Sequence, residues 1–443
     1  MDSVSLPSPS YDILVVGAGI SGLYATRQLQ RQYPGLSIAL AERYKGLGGR
    51  TYSYWPTEPG LKGIHWEMGA GRIHKDHKLI MGLLKEYGLT WIPISSSMTY
   101  VKGPGSAPVP NLFTSVFITA YIKPLLQLSL GVLAKHTIES LMKEVHGPEK
   151  TAEILSYYPY RAEVNTLRAD MALHAFLGGE MSTDDDYGVI QEGFSELITR
   201  MRAEILERGA VILNRHRLLN LEAAEGSSTD CHFEFGRTGH KEPHGFIKLR
   251  ATKAVVLALH KDAVAELPIF KSWKVLQYLQ TQPLLRTYMV FKSSEKHPVW
   301  FAAFQKIVTP ARPRYIIPID PKRGVIMISY TDGDDTKQYM KIQSEKGDNA
   351  LCKTILKDVR TLFPDCKIPD PVFFKSHPWE TGCTYWIPGS YSAEFQSKTA
   401  IHPFPSKLPT VWLCGESWSL RQAWVEGALE QTEKMLGQIQ LSG

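Results

Sequence analysis

The sequence predicts an α/β fold in which a unit of buried parallel strands is interleaved along the chain with a second, α+β unit. Three observations predict it. The amino end reads strand, glycine-rich turn, helix, strand, which is a βαβ unit. Short apolar runs of the same kind return at residues 254–258 and 410–414. Between these runs lie a helix-rich block at 110–180 and a set of alternating strands that a plain βα repeat does not accommodate.

The elements follow in order. Residues 1–10 read as a loose Ser/Pro tail. Residues 11–16 form the first buried strand. Residues 21–31 carry Leu23, Ala25, Thr26 and Leu29 on helical spacing, a face suited to rest on a sheet. Residues 36–41 form the second strand. The stretch 51–63 is rich in Pro, Gly and aromatics and reads as loop. A helix is expected at 77–87, an acidic turn at 182–187, an amphipathic helix at 194–208 and a strand at 210–213. Residues 221–250 alternate like a meander. Residues 285–291, 315–319 and 324–330 read as strands of a separate antiparallel sheet, and 349–363 and 425–439 as helices. This division gives one domain from 1–75, 187–260 and 395–443, and a second from 76–186 and 261–394.

Bulk composition excludes several classes. At 443 residues, with 43% hydrophobic and 21% charged content, the chain has ample length to bury a large core. The formal charge of +6 is spread out, and no Lys/Arg block points to nucleic acid. The five cysteines, Cys231, Cys352, Cys366, Cys383 and Cys414, form no C-x-x-C pair, and an odd count is a poor disulfide framework. A reducing, cytoplasmic setting is the expectation. The first residues lack a charged, then apolar, signal pattern. Residues 112–133 are apolar but are interrupted by Lys123 and Pro124, so buried helices are expected there and no membrane span. A lipid-touching mouth to a site is the other reading. No metal is expected.

The chemistry begins at Gly17-Ala18-Gly19-Ile20-Ser21-Gly22, which fits G-x-G-x-x-G directly after a strand and at the start of a helix. Gly17 permits the tight turn, Gly19 lets backbone approach a pyrophosphate, and Gly22 lets helix and strand pack closely. The pyrophosphate then meets free N–H groups at a helix N-terminus. Glu42 stands twenty positions after Gly22, where a carboxylate accepts ribose hydroxyls and repels a ribose phosphate. Glycines alone would also fit a plain strand–turn–helix connection. The flanking elements and Glu42 select a Rossmann-type dinucleotide site and disfavour NADP. A second cluster, Gly46-Leu47-Gly48-Gly49-Arg50-Thr51, follows Glu42-Arg43. A solvated surface loop is the plain alternative. A two-nucleotide cofactor with an extended ribityl chain, FAD, accounts for it better.

These residues resemble the flavin-containing amine oxidase family, which includes monoamine and polyamine oxidases. The likeness rests on residues 11–22 and 42–51, on Trp66-Glu67-Met68-Gly69-Ala70-Gly71-Arg72, on Gly193-Phe194 with Leu197, and on Leu413-Cys414-Gly415-Glu416 followed by Trp424-Val425-Glu426-Gly427-Ala428. The resemblance implies a Rossmann-type FAD-binding domain interleaved with an α+β substrate-binding domain. It implies that Gly49, Arg50 and Thr51 line the phosphate and ribityl path, and that Gly69, Ala70, Gly71 and Arg72 pass near the isoalloxazine. Arg217 would offer backbone to the adenine edge, Glu416 would bond the ribityl chain, and the N–H of Val425 would meet the pyrimidine edge. A helix N-terminus there stabilises the anion of the reduced ring.

The resemblance also implies oxidation of an amine carbon–nitrogen bond by hydride transfer, with dioxygen as acceptor and hydrogen peroxide as product. Two aromatic rings would flank the substrate nitrogen. Trp424 matches one, and Tyr385 or Trp386 would supply the other, with core packing as the plain alternative for each. Three departures stand out. The family's water-holding Lys falls near Met289, with Lys292 on the opposite strand face. Cys383, a candidate for covalent flavin attachment, is too close to Pro388-Gly389 for the family's spacing, so non-covalent FAD is expected. Asp332 could be a turn residue or could face a substrate ammonium, and Asp184, Asp185 and Asp186 could line a polycation entrance or be solvated. No second G-x-G-x-x-G follows a strand, so a nicotinamide reductase half is missing. The competing readings are a desaturase or oxidative cyclase of a larger apolar or nitrogen-containing metabolite, and a flavin-bound scaffold without activity. Retention of Trp424, Glu416 and the ring-approach glycines weighs against the scaffold.

Overall fold

A computed structural model describes residues 9–177, 186–236 and 244–441. The Ser/Pro tail, except for its last two residues, lies outside these, as do Asp184 and Asp185.

The first sheet has strands in the order Val211–Asn214, Ile38–Glu42, Ser10–Val16, Gly245–Leu257, Thr229–Phe235, His216–Ala223. The first four are mutually parallel, and Val411–Leu413 joins the far edge of 245–257, also parallel. The long strand 245–257 serves two masters: residues 245–251 close an antiparallel meander, while 255–257 pair with 411–413. Side chains alternate across this sheet. Ile13 and Val15 enter the core beneath the helices Ile20–Gln32, Phe194–Glu207 and Val425–Leu436, and Leu14 and Val16 enter the core on the other face. Burial on both faces explains why these strands read as unbroken apolar runs.

The helix Lys78–Glu86 belongs physically to this unit. Ile80, Leu83 and Leu84 pack into the first core, although the sequence division assigned 76–186 to the second domain. A cluster of charges ties the same helices together. Arg27 is fully buried and reaches Glu86 and Glu204, and Arg31 reaches both as well.

The second sheet runs Phe373–Trp386, Leu279–Val290, Val325–Asp332, Tyr315–Asp320, Lys306–Val308, Met98–Tyr100, Val109–Pro110. Its pairs are antiparallel except 306–308 with 98–100. The helix Lys337–Leu362 covers one face, burying Leu351, Ile355 and Val359 against Leu285, Met289 and Ile328. It starts earlier than expected and breaks at Gly347, where φ is +78°. Helical segments between 113 and 177 pack with Tyr315, Cys383 and Tyr385 in a separate core, joined by the half-buried Tyr330. The apolar run 112–133 folds into a wide π-type helix, Phe113–Ile122, then short turns. Phe113, Phe117 and Ile122 turn inward, while Leu126, Leu128, Leu130 and Val132 stay exposed. Among the described residues no helix is long and apolar enough to cross a membrane.

Candidate active site

The carboxyl ends of the parallel strands converge, and the residues of the fingerprint gather there. Gly17 N–H bonds Ala41 O, and Ala258 N–H bonds Val16 O, each at 2.8 Å. Glu42 ends its strand, buried, with one carboxylate oxygen accepting from Ala18 N–H at 2.8 Å and the other from Tyr44 N–H at 2.9 Å. Burial pushes its carboxyl up, and the two amide bonds oppose that. Open crevices at strand ends of this kind are where α/β sheets bind ligands.

The glycines divide by what surrounds them. A Cβ on Gly22 would lie 1.8 Å from Gly17 O, and one on Gly17 would lie 2.5 Å from Ala258 O at a φ of +98°. Packing of the protein itself requires glycine at both. Gly19 differs: the nearest protein atom to a Cβ there is Gly48 O at 3.9 Å, and its φ of −72° suits any residue. Space is kept beside Gly19 at the N-terminus of the helix 20–32, as a pyrophosphate needs. Gly48 N–H bonds Ala18 O at 2.8 Å, so the second glycine cluster lies directly on the first. Ser21 Oγ donates to Ala428 O, and Thr51 Oγ1 to Gly48 O. Gly49 stands above Gly19, with a Cβ 3.4 Å from its Cα. The chemistry of this cradle fits a flavin dinucleotide, which Glu42 would meet at the ribose, Gly19 and Gly49 along the phosphates, and residues 69–72 beyond.

Two placements differ from expectation. Arg217 lies on the edge strand His216–Ala223 with its exposed guanidinium on Glu266 at 2.8 Å. The turn that touches the Glu42 strand is one step earlier: Asn214 pairs with Glu42, and Arg215, at φ +62°, donates its N–H to Tyr44 O. Arg43 is exposed and stacks on Tyr44, so it faces solvent rather than the cradle.

Glu416 is a buried hub. One oxygen accepts from Thr384 N–H at 3.1 Å and Ala423 N–H at 2.8 Å, and the other from Arg50 at 2.9 Å. Arg50 also bonds Gly382 O, and its own carbonyl accepts from Ala70 N–H at 2.8 Å. The hub thus holds the second glycine cluster, the strand 373–386 and the loop before the helix 425–436 in one arrangement. Ala423 sits at φ +66°, a left-handed conformation that sets up Trp424 as the N-cap residue above Val425.

The aromatic neighbourhood corrects the expectation for the strand 373–386. Trp386 is fully buried, donates its indole N–H to Ser419 O and packs in the core under the first sheet. It is a structural residue and not a substrate wall. Tyr385 lies on the opposite face of the strand with Cys383, in the core shared with Tyr160 and Tyr315. The ring stacked on Trp424 is Tyr187, with centroids 5.6 Å apart and 24° between planes, and His77 meets Trp424 edge-on at 5.3 Å. Neither was singled out from sequence.

The strand 279–290 brings a second correction. Met289 is buried under the helix 337–362, and Lys292 is exposed beyond the strand. The cation facing residues 66–71 is Arg286. Its guanidinium reaches Glu67 O at 3.4 Å, lies against Gly71 and stacks over Tyr330 at 4.8 Å. An Arg inside an apolar strand was a legible signal for it. Asp332 does not face the site as a free carboxylate. It accepts from the N–H groups of Arg161 and Ala162, and burial pushes it up to about 7. Asp186 pairs with Lys75 at 2.6 Å.

Glu67 is interior as well. Its oxygens accept from Ser53 Oγ and Phe194 N–H, each at 3.0 Å, and burial pushes it up to about 7 against those bonds and the Arg286 charge. A raised carboxyl favours the folded state fully below about 4.5, and that contribution is lost as pH rises toward 7. The stability of Glu67→Gln relative to the parent is therefore expected to improve by about 2–3 kcal/mol between pH 4.5 and 8. Denaturant unfolding at the two pH values measures it. A pH-independent gap would show that Glu67 does not hold its proton.

The flavin containing amine oxidoreductase family model matches residues 20–433. Aplysianin-A of Aplysia kurodai is 21% identical, covering 96% of this chain and 89% of its own. Achacin of Lissachatina fulica is 22% identical over 97% and 93%. Among solved structures, wild-type putrescine oxidase bound to putrescine superposes with a TM-score of 0.72 at 15% identity, over 98% of this chain and 99% of that one. The family model covers most of the chain, and by it the chain belongs to the flavin-containing amine oxidoreductase family and is an FAD-dependent oxidoreductase.

Proposed function

We propose that the protein oxidises the carbon–nitrogen bond of an amine, with non-covalently held FAD as the immediate acceptor and dioxygen as the final one. Amine and dioxygen give imine and hydrogen peroxide, and water then converts the imine to a carbonyl compound with release of ammonia or the smaller amine. The bound flavin supplies the two-electron acceptor.

The observation that carries this reading is the corner formed by Trp424. It joins the N-terminus of the helix 425–436, the stacked Tyr187 and the approach segment at Arg72, whose guanidinium lies 5.6 Å from the Trp424 ring. Aromatic faces there orient a substrate nitrogen and exclude water. The helix N-terminus favours negative charge beside them. Buried Cys383 has its thiol pushed well up by burial, so it is not the thiolate that a covalent link requires, which supports non-covalent binding. The five cysteines are free, which supports a reducing, cytoplasmic setting.

The test begins with the purified protein's absorbance. Denaturation should release a yellow chromophore, anaerobic amine should bleach it, and air should restore it with peroxide formed. Bleaching by large apolar compounds alone, without peroxide on aeration, would replace this reading with desaturation or oxidative cyclisation. Trp424→Ala is expected to lower amine turnover about ten- to a hundredfold while flavin content stays near the parent's. Unchanged turnover removes Trp424 from the site.

A further inference from the structure

The helices 78–86 and 425–436 begin at one corner of the molecule, where their N-cap residues His77 and Trp424 meet edge-on at 5.3 Å. Neither N-cap side chain accepts a hydrogen bond from its own helix. For the helix 78–86 a carboxylate from the other end of the chain does so. One oxygen of Glu426 accepts from Leu79 N–H at 2.9 Å and the other from Ile80 N–H at 3.0 Å. Glu426 is 3% exposed. Among the described residues no ion pair reaches it. Arg421, the cation whose charge acts on it, pairs with Glu430 at 3.3 Å.

Glu426 is also the second residue of the helix 425–436. The start of that helix, at Trp424 and Val425, bears the partial positive charge of a helix N-terminus, roughly half a unit. A carboxyl that accepts on both oxygens is served best as the anion. Its whole negative charge, fixed in the same turn, outweighs the partial positive one. The two amides orient that charge and lower its cost, but they are neutral and leave it in place. A group at this corner that takes up negative charge therefore gains less than the helix dipole alone would give it.

We propose that Glu426 is a positioning residue with a second, electrostatic effect: it pins the helix 78–86, and with it His77, to the helix 425–436, and its charge holds down the electron affinity of a flavin ring seated at that helix start. The inference rests on the reading that seats the ring there. A flavin of lower electron affinity takes electrons from an amine less readily and passes them to dioxygen more readily. The carboxylate thus biases the cycle toward its oxidase step.

The test uses the flavin-loaded protein and sulfite, which adds reversibly to electron-poor flavins and is followed by bleaching at one fixed pH. No amine is needed, so the outcome does not depend on the substrate. Glu426→Gln and Glu426→Ala should each bind sulfite about tenfold tighter than the parent. Reduction against a reference dye should become more favourable by a similar factor, about 30 mV for a two-electron couple. Glu426→Ala, which strands both amides, should melt lowest. Glu426→Asp keeps the charge, so it should melt below the parent yet bind sulfite no tighter. Glu430→Gln, one turn along and half-buried, should change sulfite affinity no more than about threefold. The inference is overturned if sulfite affinity in Glu426→Gln stays within twofold of the parent's, or if Glu430→Gln gains as much. Tenfold tighter sulfite in Glu426→Asp overturns it as well, even where the uncharged variants give no folded protein. A parent that binds no flavin would overturn the cofactor reading and this inference together, whereas bound flavin indifferent to these substitutions overturns the inference alone.

Discussion

Gly19→Val is expected to give a protein that folds and melts like the flavin-free parent yet stays colourless. The nearest protein atom to a Cβ at Gly19 is 3.9 Å away and the backbone there is extended, so the valine fits the protein. What it occupies is the space beside the free amides of the helix 20–32, where the diphosphate must come into contact. Flavin affinity should fall by at least about a hundredfold, read by absorbance after incubation with excess FAD. Gly22→Val provides the contrast. Its Cβ would collide with a backbone oxygen at 1.8 Å, which no rotamer relieves, so little soluble protein is expected. A yellow Gly19→Val protein would show that the diphosphate lies elsewhere.

Glu416→Ala is expected to destabilise the fold by about 2–3 kcal/mol, because it removes a buried carboxylate that serves two amides, while its partner Arg50 stays partly in solvent. The change leaves Arg50 without its carboxylate and strands the amides of Thr384 and Ala423. Thermal unfolding of the flavin-free protein should drop by about 2–4 °C. Glu416→Gln keeps an oxygen for the two amides and should lose less than half as much. Equal losses in the two variants would show that the Arg50 charge, and not the amide pair, dominates. Because Ala423 is held left-handed by this hub, residual Glu416→Ala protein should also show a broadened Trp424 environment in its fluorescence.

The centre of the parallel sheet was legible because residues 13–16, 38–41 and 254–257 are buried on both faces and carry no polar side chain to blur the run. The fingerprint was legible for a different reason: steric demand fixes glycine at 17 and 22, while at 19 the protein itself leaves open space. Tyr385 and Trp386 show where such reading stops. Alternation puts them on opposite faces, but which face meets the site depends on how the second sheet rests on the first. Arg286 was missed through register, since the strand was aligned by a lysine that it does not have. Tyr187 and Tyr160 lie far from the glycine clusters in sequence, in segments that only tertiary packing brings to Trp424 and Arg72. The helix 337–362 shows a local signal overridden, because Gly347 breaks it without ending it.

The pairing of 411–413 with 255–257, and the seat of the helix 425–436 upon 20–32, bear on biosynthesis. The glycine turn 17–22 leaves the ribosome about four hundred residues before the segments that complete the sheet and cover its helix. A nascent chain thus carries an unfinished sheet with an open strand edge for most of its translation. Completion of the first sheet and of the helix layer above it therefore waits for the end of synthesis.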